Sequence, residues 1–196
     1  MSRPETADAA LARLAAGNER FLRGEARFPT VQKDVLAELA KGQQPYATVL
    51  GCSDSRVPPE LLFDAGFGEL FVVRVAGNVV SAEILGTLQY AGLHPRTPLF
   101  VVLGHEGCGA VKAALATDVE GERLAAVLQA IRPGLGGITA HASPGDRLDA
   151  AVEANVRWSM RQVLETREGR ARMAEGRMKL VGAVYEIATG RVRFLQ

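Results

Sequence analysis

Four apolar runs constrain this chain more than any other feature: "YATVLGC" (46–52), "LFVVRVA" (70–76), "LFVVLGH" (99–105) and "KLVGAVYEI" (179–187). Each is continuous rather than alternating and rich in Val and Leu, as a strand must be when both of its faces are covered. Helical patterns lie between them. "AEILGTLQYA" follows Ser81, a candidate N-cap, and sets Ile84, Leu85 and Leu88 along one side; "CGAVKAALA" starts directly after the third run; "LDAAVEANVRWSMRQVLETRE" is the longest helical pattern in the chain. Strands alternating with helices predict an α/β fold: one open, mostly parallel sheet of four strands with helices on both faces. "RVRFL" follows "ATG" closely enough to add an antiparallel strand at the sheet edge. "RPGLGGITAHASPGD", Arg132 to Asp146, is punctuated by Gly and Pro and reads as a loop between helices.

The 196 residues, 47% of them hydrophobic, suffice for one substantial core, so a single domain is expected, with a helical arm over 1–40 and an α/β core over 41–196. In the arm, "DAALARLAAGNERFLRGE" carries Leu11, Leu14, Phe21 and Leu22 at helical spacing and must dock on something. A partner subunit is the expected surface. The net charge of +1, from 23 basic and 22 acidic residues, gives no electrostatic reason for a nucleic-acid or membrane partner. The Arg-rich stretch from Arg157 to Arg177 is interleaved with Glu165, Glu168 and Glu175 and follows Glu153, which describes a solvated helix face. No apolar run approaches the roughly 20 residues that span a bilayer, and "MSRPETADAA" lacks the apolar core of a signal peptide, so a cytoplasmic location is expected.

Chemistry concentrates at the ends of two runs. Cys52 closes the first and His105 the third, and ligand sites of open α/β sheets lie outside the carboxyl ends of the strands. If those strands are neighbours, their ends sit roughly 5 Å apart. "HEGC" then adds Cys108, three residues after His105. Two Cys and one His suit zinc, and a structural site would close with a fourth Cys or His. The sequence has only two cysteines, and its other histidines, His94 and His141, lie in apparent loops. Three ligands and a vacancy are the arrangement of a catalytic zinc; buried thiols with a hydrogen-bonded histidine are the alternative. In an extended segment Cys52, Asp54 and Arg56 of "CSDSR" face the same way, placing a carboxylate and its guanidinium beside the metal. Arg56 would hold Asp54 ionised and oriented. Because two thiolates neutralise Zn²⁺, the site acidifies water less than one of neutral imidazoles, and Asp54 supplies a fixed acceptor for the water's proton. The same carboxylate could instead enter the vacancy and close the site.

"CSDSRV" followed by "GHEGCGAV" resembles the paired signature of the β-class carbonic anhydrases. The likeness extends through "KGQQP", "ELFVVRVAGN", "LQYA", "EANV" and "VGAVYEIATG", which is almost the whole chain. It implies one Zn²⁺ per chain on Cys52, His105 and Cys108, an Asp54–Arg56 catalytic dyad, and a lyase activity, the reversible hydration of CO₂ to bicarbonate. It also implies that Gln43 orients the substrate, that Phe71 and Tyr90 wall the CO₂ pocket, and that the backbone of Gly109 binds bicarbonate. In the family the pocket is completed across a dimer interface, so a homodimer or homotetramer is implied, with Gln43 serving the neighbouring zinc. One subgroup has an inhibitory bicarbonate pocket built from Trp, Arg and Tyr; Arg74 and Tyr185 match, but Val49 stands at the Trp position. The rival readings are a hydrolase of CS₂ or COS on the same scaffold, a non-catalytic zinc or bicarbonate sensor, and a redox pair of Cys52 with Cys108.

Overall fold

The computed structural model describes residues 6–27, 33–116, 121–138 and 143–195. Helix α1 (Ala7–Leu22) is opened by Thr6, whose hydroxyl accepts from the Ala9 amide, and is followed by α2 (Lys33–Leu39). Then come β1 (Ala47–Gly51), the one-turn α3 (Pro59–Leu62), β2 (Leu70–Arg74), a 3₁₀ turn at Ala76–Asn78, α4 (Ala82–Leu93) and β3 (Leu99–His105). After α5 (Gly109–Leu115) and α6 (Glu122–Ile131) the chain forms α7 (Pro144–Glu165), α8 (Arg167–Ala174), β4 (Lys179–Tyr185) and β5 (Val192–Phe194). The sheet order is β2-β1-β3-β4-β5, parallel throughout except for the β4–β5 pair.

All of β1 and β3 is buried, as continuous apolar runs require. Their side chains divide by alternation. Leu50, Phe100 and Val102 join a core layer with residues of α4, α5, α6 and α7. Val49, Leu99, Val101 and Leu103 join a second layer with Ala10 and Leu14 of α1 and Leu62 of α3. Among the described residues no helix is long and apolar enough to cross a membrane.

Several expectations need correction. The helix of the N-terminal arm docks part of its apolar side on this chain's own sheet, with Ala10 and Leu14 fully buried and Leu11, Phe21 and Leu22 half-buried. The segment read as a loop after Arg132 begins with a 3₁₀ turn over Arg132–Leu135 and ends inside α7, whose cap Ser143 accepts from the Asp146 amide at 3.2 Å. His141 lies outside the described residues. The longest helical pattern divides at Thr166, which ends α7 and caps α8 by accepting from the Gly169 amide at 2.9 Å. The solvated face is present: Arg157 and Arg193 both reach Glu153.

Candidate metal centre

Strand β1 lies between β2 and β3, so the chain goes to opposite sides of β1 as it builds the sheet. That makes the β1/β3 boundary the topological switch point, where the carboxyl ends leave a crevice. Cys52 follows β1 directly and His105 ends β3, so both side chains enter the crevice. A turn through Glu106 and Gly107 brings back Cys108, the residue that precedes α5. One ligand atom from each of Cys52, His105 and Cys108 lies within 4.8 Å of the others, and all three residues are buried.

Protonation follows from the neighbours. His105 Nδ1 is 2.9 Å from the carbonyl of Glu106. A carbonyl only accepts, so Nδ1 carries the proton and Nε2 keeps its lone pair. Nε2 is buried without a hydrogen-bond partner among the described residues, beside the two sulfurs, which is the environment a metal ligand needs. The two sulfurs are close enough to share a proton: the hydrogen bond from Cys108 pushes the Cys52 thiol down, and the same contact, with burial, pushes Cys108 up. Two cysteine sulfurs and an imidazole nitrogen are a soft donor set that a divalent ion would complete by displacing the thiol protons. The residues fit zinc.

Asp54 and Arg56 meet, but not by extension. After Asp54 the chain turns: the Val57 amide donates to the Asp54 carbonyl at 3.0 Å, and the Arg56 amide donates to Asp54 Oδ1 at 3.0 Å. The turn swings the Arg56 guanidinium onto both carboxylate oxygens, with Nε to Oδ1 at 2.9 Å and Nη2 to Oδ2 at 2.7 Å. This bidentate pair holds the Asp54 carboxyl well below the usual carboxylate range. Asp54 Oδ2 is 3.9 Å from His105 Nε2, beside the donors yet directed to Arg56. Arg74 fixes the segment from below, donating to the carbonyls of Cys52 at 2.9 Å and Asp54 at 2.5 Å.

The other expected site residues divide between the two ends of the sheet. Gly109 adjoins Cys108 and is exposed, and a Cβ there would meet nothing within 4 Å. Phe71 and Tyr90 do come together, with ring centroids 6.1 Å apart, and His94 stacks on Tyr90. Yet Phe71 pairs with Thr48, near the amino end of β1, and Gln43 is exposed before that strand begins. At roughly 3.3 Å per residue, the nine positions from Gln43 to Cys52 separate it from its own chain's centre by far more than a side chain's reach. Val49, at the expected Trp position, is wholly buried in strand β1.

Sequence reasoning missed the polar residues behind the sulfurs. The Gly77 amide donates to Cys52 Sγ at 3.4 Å, and Asn155 and Ser159 of α7 bond to the turn that carries it. In the structure the two stand one helical turn apart on the buried face of α7: Asn155 is 1% and Ser159 0% exposed, beside Val152 and Val156.

Fold and centre together define a metal-dependent α/β protein, with two cysteine sulfurs and an imidazole gathered at a sheet's switch point and a clamped carboxylate at their side. The carbonic anhydrase family model matches residues 47–192. Carbonic anhydrase 2 of Mycobacterium tuberculosis is 39% identical over 192 residues, covering 91% of this chain and 87% of its own. A Pseudomonas aeruginosa carbonic anhydrase is 37% identical over 185 residues, covering 88% and 83%. Among solved structures, a Coccomyxa β-carbonic anhydrase in complex with acetazolamide superposes with a TM-score of 0.75 at 28% identity, covering 94% of this chain and 81% of that one. A tetrameric β-carbonic anhydrase of Sordaria macrospora gives a TM-score of 0.77 at 25% identity, covering 96% and 95%. The chain belongs to the β-class carbonic anhydrases.

Proposed function

We infer that this protein hydrates CO₂ reversibly to bicarbonate and a proton, as a zinc-dependent lyase. The observation that carries the reading is the cluster of Cys52, His105 and Cys108 donors within 4.8 Å, in a chain of this family. When bound, zinc supplies a nucleophile near neutral pH by acidifying water. The chain's own residues do the rest. His105 offers Nε2 because the Glu106 carbonyl holds the proton on Nδ1. Asp54, ionised and oriented by Arg56, accepts the hydrogen bond of the attacking water and keeps its lone pair aimed at the carbon of CO₂. Gly109, open on its Cα side next to Cys108, offers its backbone to the bicarbonate oxygens. Buffer takes the proton that leaves.

Gln43, Phe71 and Tyr90 complete the pocket from a second copy of the chain. Their place at the opposite end of the sheet from Cys52 supports this, as do the unpaired side of edge strand β2 and the exposed Phe67, Val35 and Leu36. The functional unit is then at least a homodimer.

Stopped-flow CO₂ hydration tests the reading, with turnover of CS₂ measured beside it. Asp54→Asn is expected to lose about 10²–10⁴-fold in turnover while keeping its zinc; Cys108→Ser is expected to lose both metal and activity. Wild-type protein that carries zinc and turns over CS₂ but not CO₂ would overturn it.

A further inference from the structure

Behind the metal donors lies a chain of hydrogen bonds that the reaction itself does not use. Gly77 and Asn78 follow β2 in the 3₁₀ turn, and both have left-handed backbones, with φ of +65° and +45°. Two consecutive residues in that region are costly, more so for Asn78 than for glycine, and they persist only where the surroundings over-determine them. A Cβ at position 77 would sit 2.8 Å from Ile131 Cδ1 and 3.1 Å from Ala110 Cβ, so glycine alone fits the turn against α5 and α6. The consequence of the turn is the direction of one amide: Gly77 N–H points at Cys52 Sγ, 3.4 Å away.

Helix α7 holds that turn in place. Asn155 Nδ2 donates to the Gly77 carbonyl at 2.8 Å, and Ser159 Oγ donates to the Asn78 carbonyl at 3.0 Å while facing Asn78 Nδ2 at 3.4 Å. The two side chains are four residues apart, hence one above the other on a single helix face. Asn78, Asn155 and Ser159 are each at most 1% exposed. Buried polar groups directed at a strained turn, on a helix otherwise packed through Ala151, Val152 and Val156, pair two carbonyls that an apolar face would leave unsatisfied, and so hold the turn in its left-handed form. The result is a fixed hydrogen-bond donor on one of the sulfurs.

We propose that Asn155 and Ser159 are positioning residues for the metal centre, acting through the Gly77 amide on the Cys52 thiolate. An N–H donor withdraws some charge from a thiolate, which weakens its bond to an ion, but it also fixes the lone pairs toward the ion. In a preformed site the second effect governs, so loss of the donor loosens the ion. The donor thereby sets both how tightly the sulfur holds a divalent ion and how much positive charge the ion keeps. The inference rests on the zinc reading of the site.

The test uses the full chain loaded with zinc, or with cobalt as a coloured substitute, in Ser159→Ala, Asn155→Ala and the control Asn18→Ala. Asn18 also ties buried backbone, donating to the carbonyls of Leu62 and Gly190, but lies in the opposite core layer. Ser159→Ala and Asn155→Ala are expected to release zinc to a chelator about tenfold faster than wild type and to move the thiolate-to-cobalt charge-transfer band. Asn18→Ala should lower the melting temperature without changing either. Ser159→Ala removes only one oxygen, so it remains informative if Asn155→Ala does not fold. Release rates and band positions in Ser159→Ala equal to wild type would overturn the proposal and leave the zinc reading intact. Wild-type protein that takes up neither metal would overturn both.

Discussion

Asp54 carries its charge at any pH used for assay, because two hydrogen bonds from the Arg56 guanidinium, and a third from its amide, favour the ionised form. A carboxyl depressed in the folded state stabilises the protein above its unfolded value of roughly 3.9, and that contribution is lost as the pH falls through the lower folded value. Asp54 therefore contributes no acid limb between pH 6.5 and 9. The rise in activity expected over that range comes from the water itself, only weakly acidified where two thiolates cancel the ion's charge. A flat stopped-flow profile from 6.5 to 9, in zinc-replete protein, would contradict this charge balance. Replacing Arg56 by Lys keeps the charge but not the two-pronged contact. We expect turnover to fall at least about tenfold, with zinc content unchanged by elemental analysis.

At the scale of elements, α1 shows how sequence and packing part company. Its apolar spacing was legible, and so was its N-terminal boundary, but the surface it covers was not. Gly17 is the reason: its Cα lies so close to the Phe63 carbonyl that a Cβ would fall 1.9 Å from the oxygen. A glycine within a helical pattern reads as a weakness, since alanine is ordinarily better by about 1 kcal/mol. Here the contact reverses the sign. Gly17→Ala should destabilise the fold by about 2 kcal/mol, measured by denaturant unfolding, and a stabilised variant would show that α1 does not dock as described. The strands were legible to within two residues because runs covered on both faces leave little choice of period. The turn joining Asp54 to Arg56 was not, because alternation in an extended segment and a side-chain–backbone turn place the same two residues together by different routes. Asn155 and Ser159 were passed over because a polar residue in a helix reads as solvent-facing until its neighbours are known.

For the whole molecule, the three metal donors were legible because each sits at a strand end or helix start that the pattern of runs already located. The substrate pocket came only from the family resemblance, and Gln43 and Phe71 lie toward the end of the sheet away from Cys52. If a second copy supplies them, two inactive variants can repair each other. Dimers formed by refolding Gln43→Ala together with Cys108→Ser should include heterodimers with one complete site of two. Random pairing would restore roughly a quarter of wild-type activity. Recovery no greater than the sum of the separate variants would place each pocket within a single chain.

The most direct measurement is the metal content of freshly purified protein set against its CO₂ hydration rate before and after chelation. The account predicts one zinc per chain, loss of activity as zinc is withdrawn, and its return when zinc is restored. Protein free of metal and fully active would contradict it.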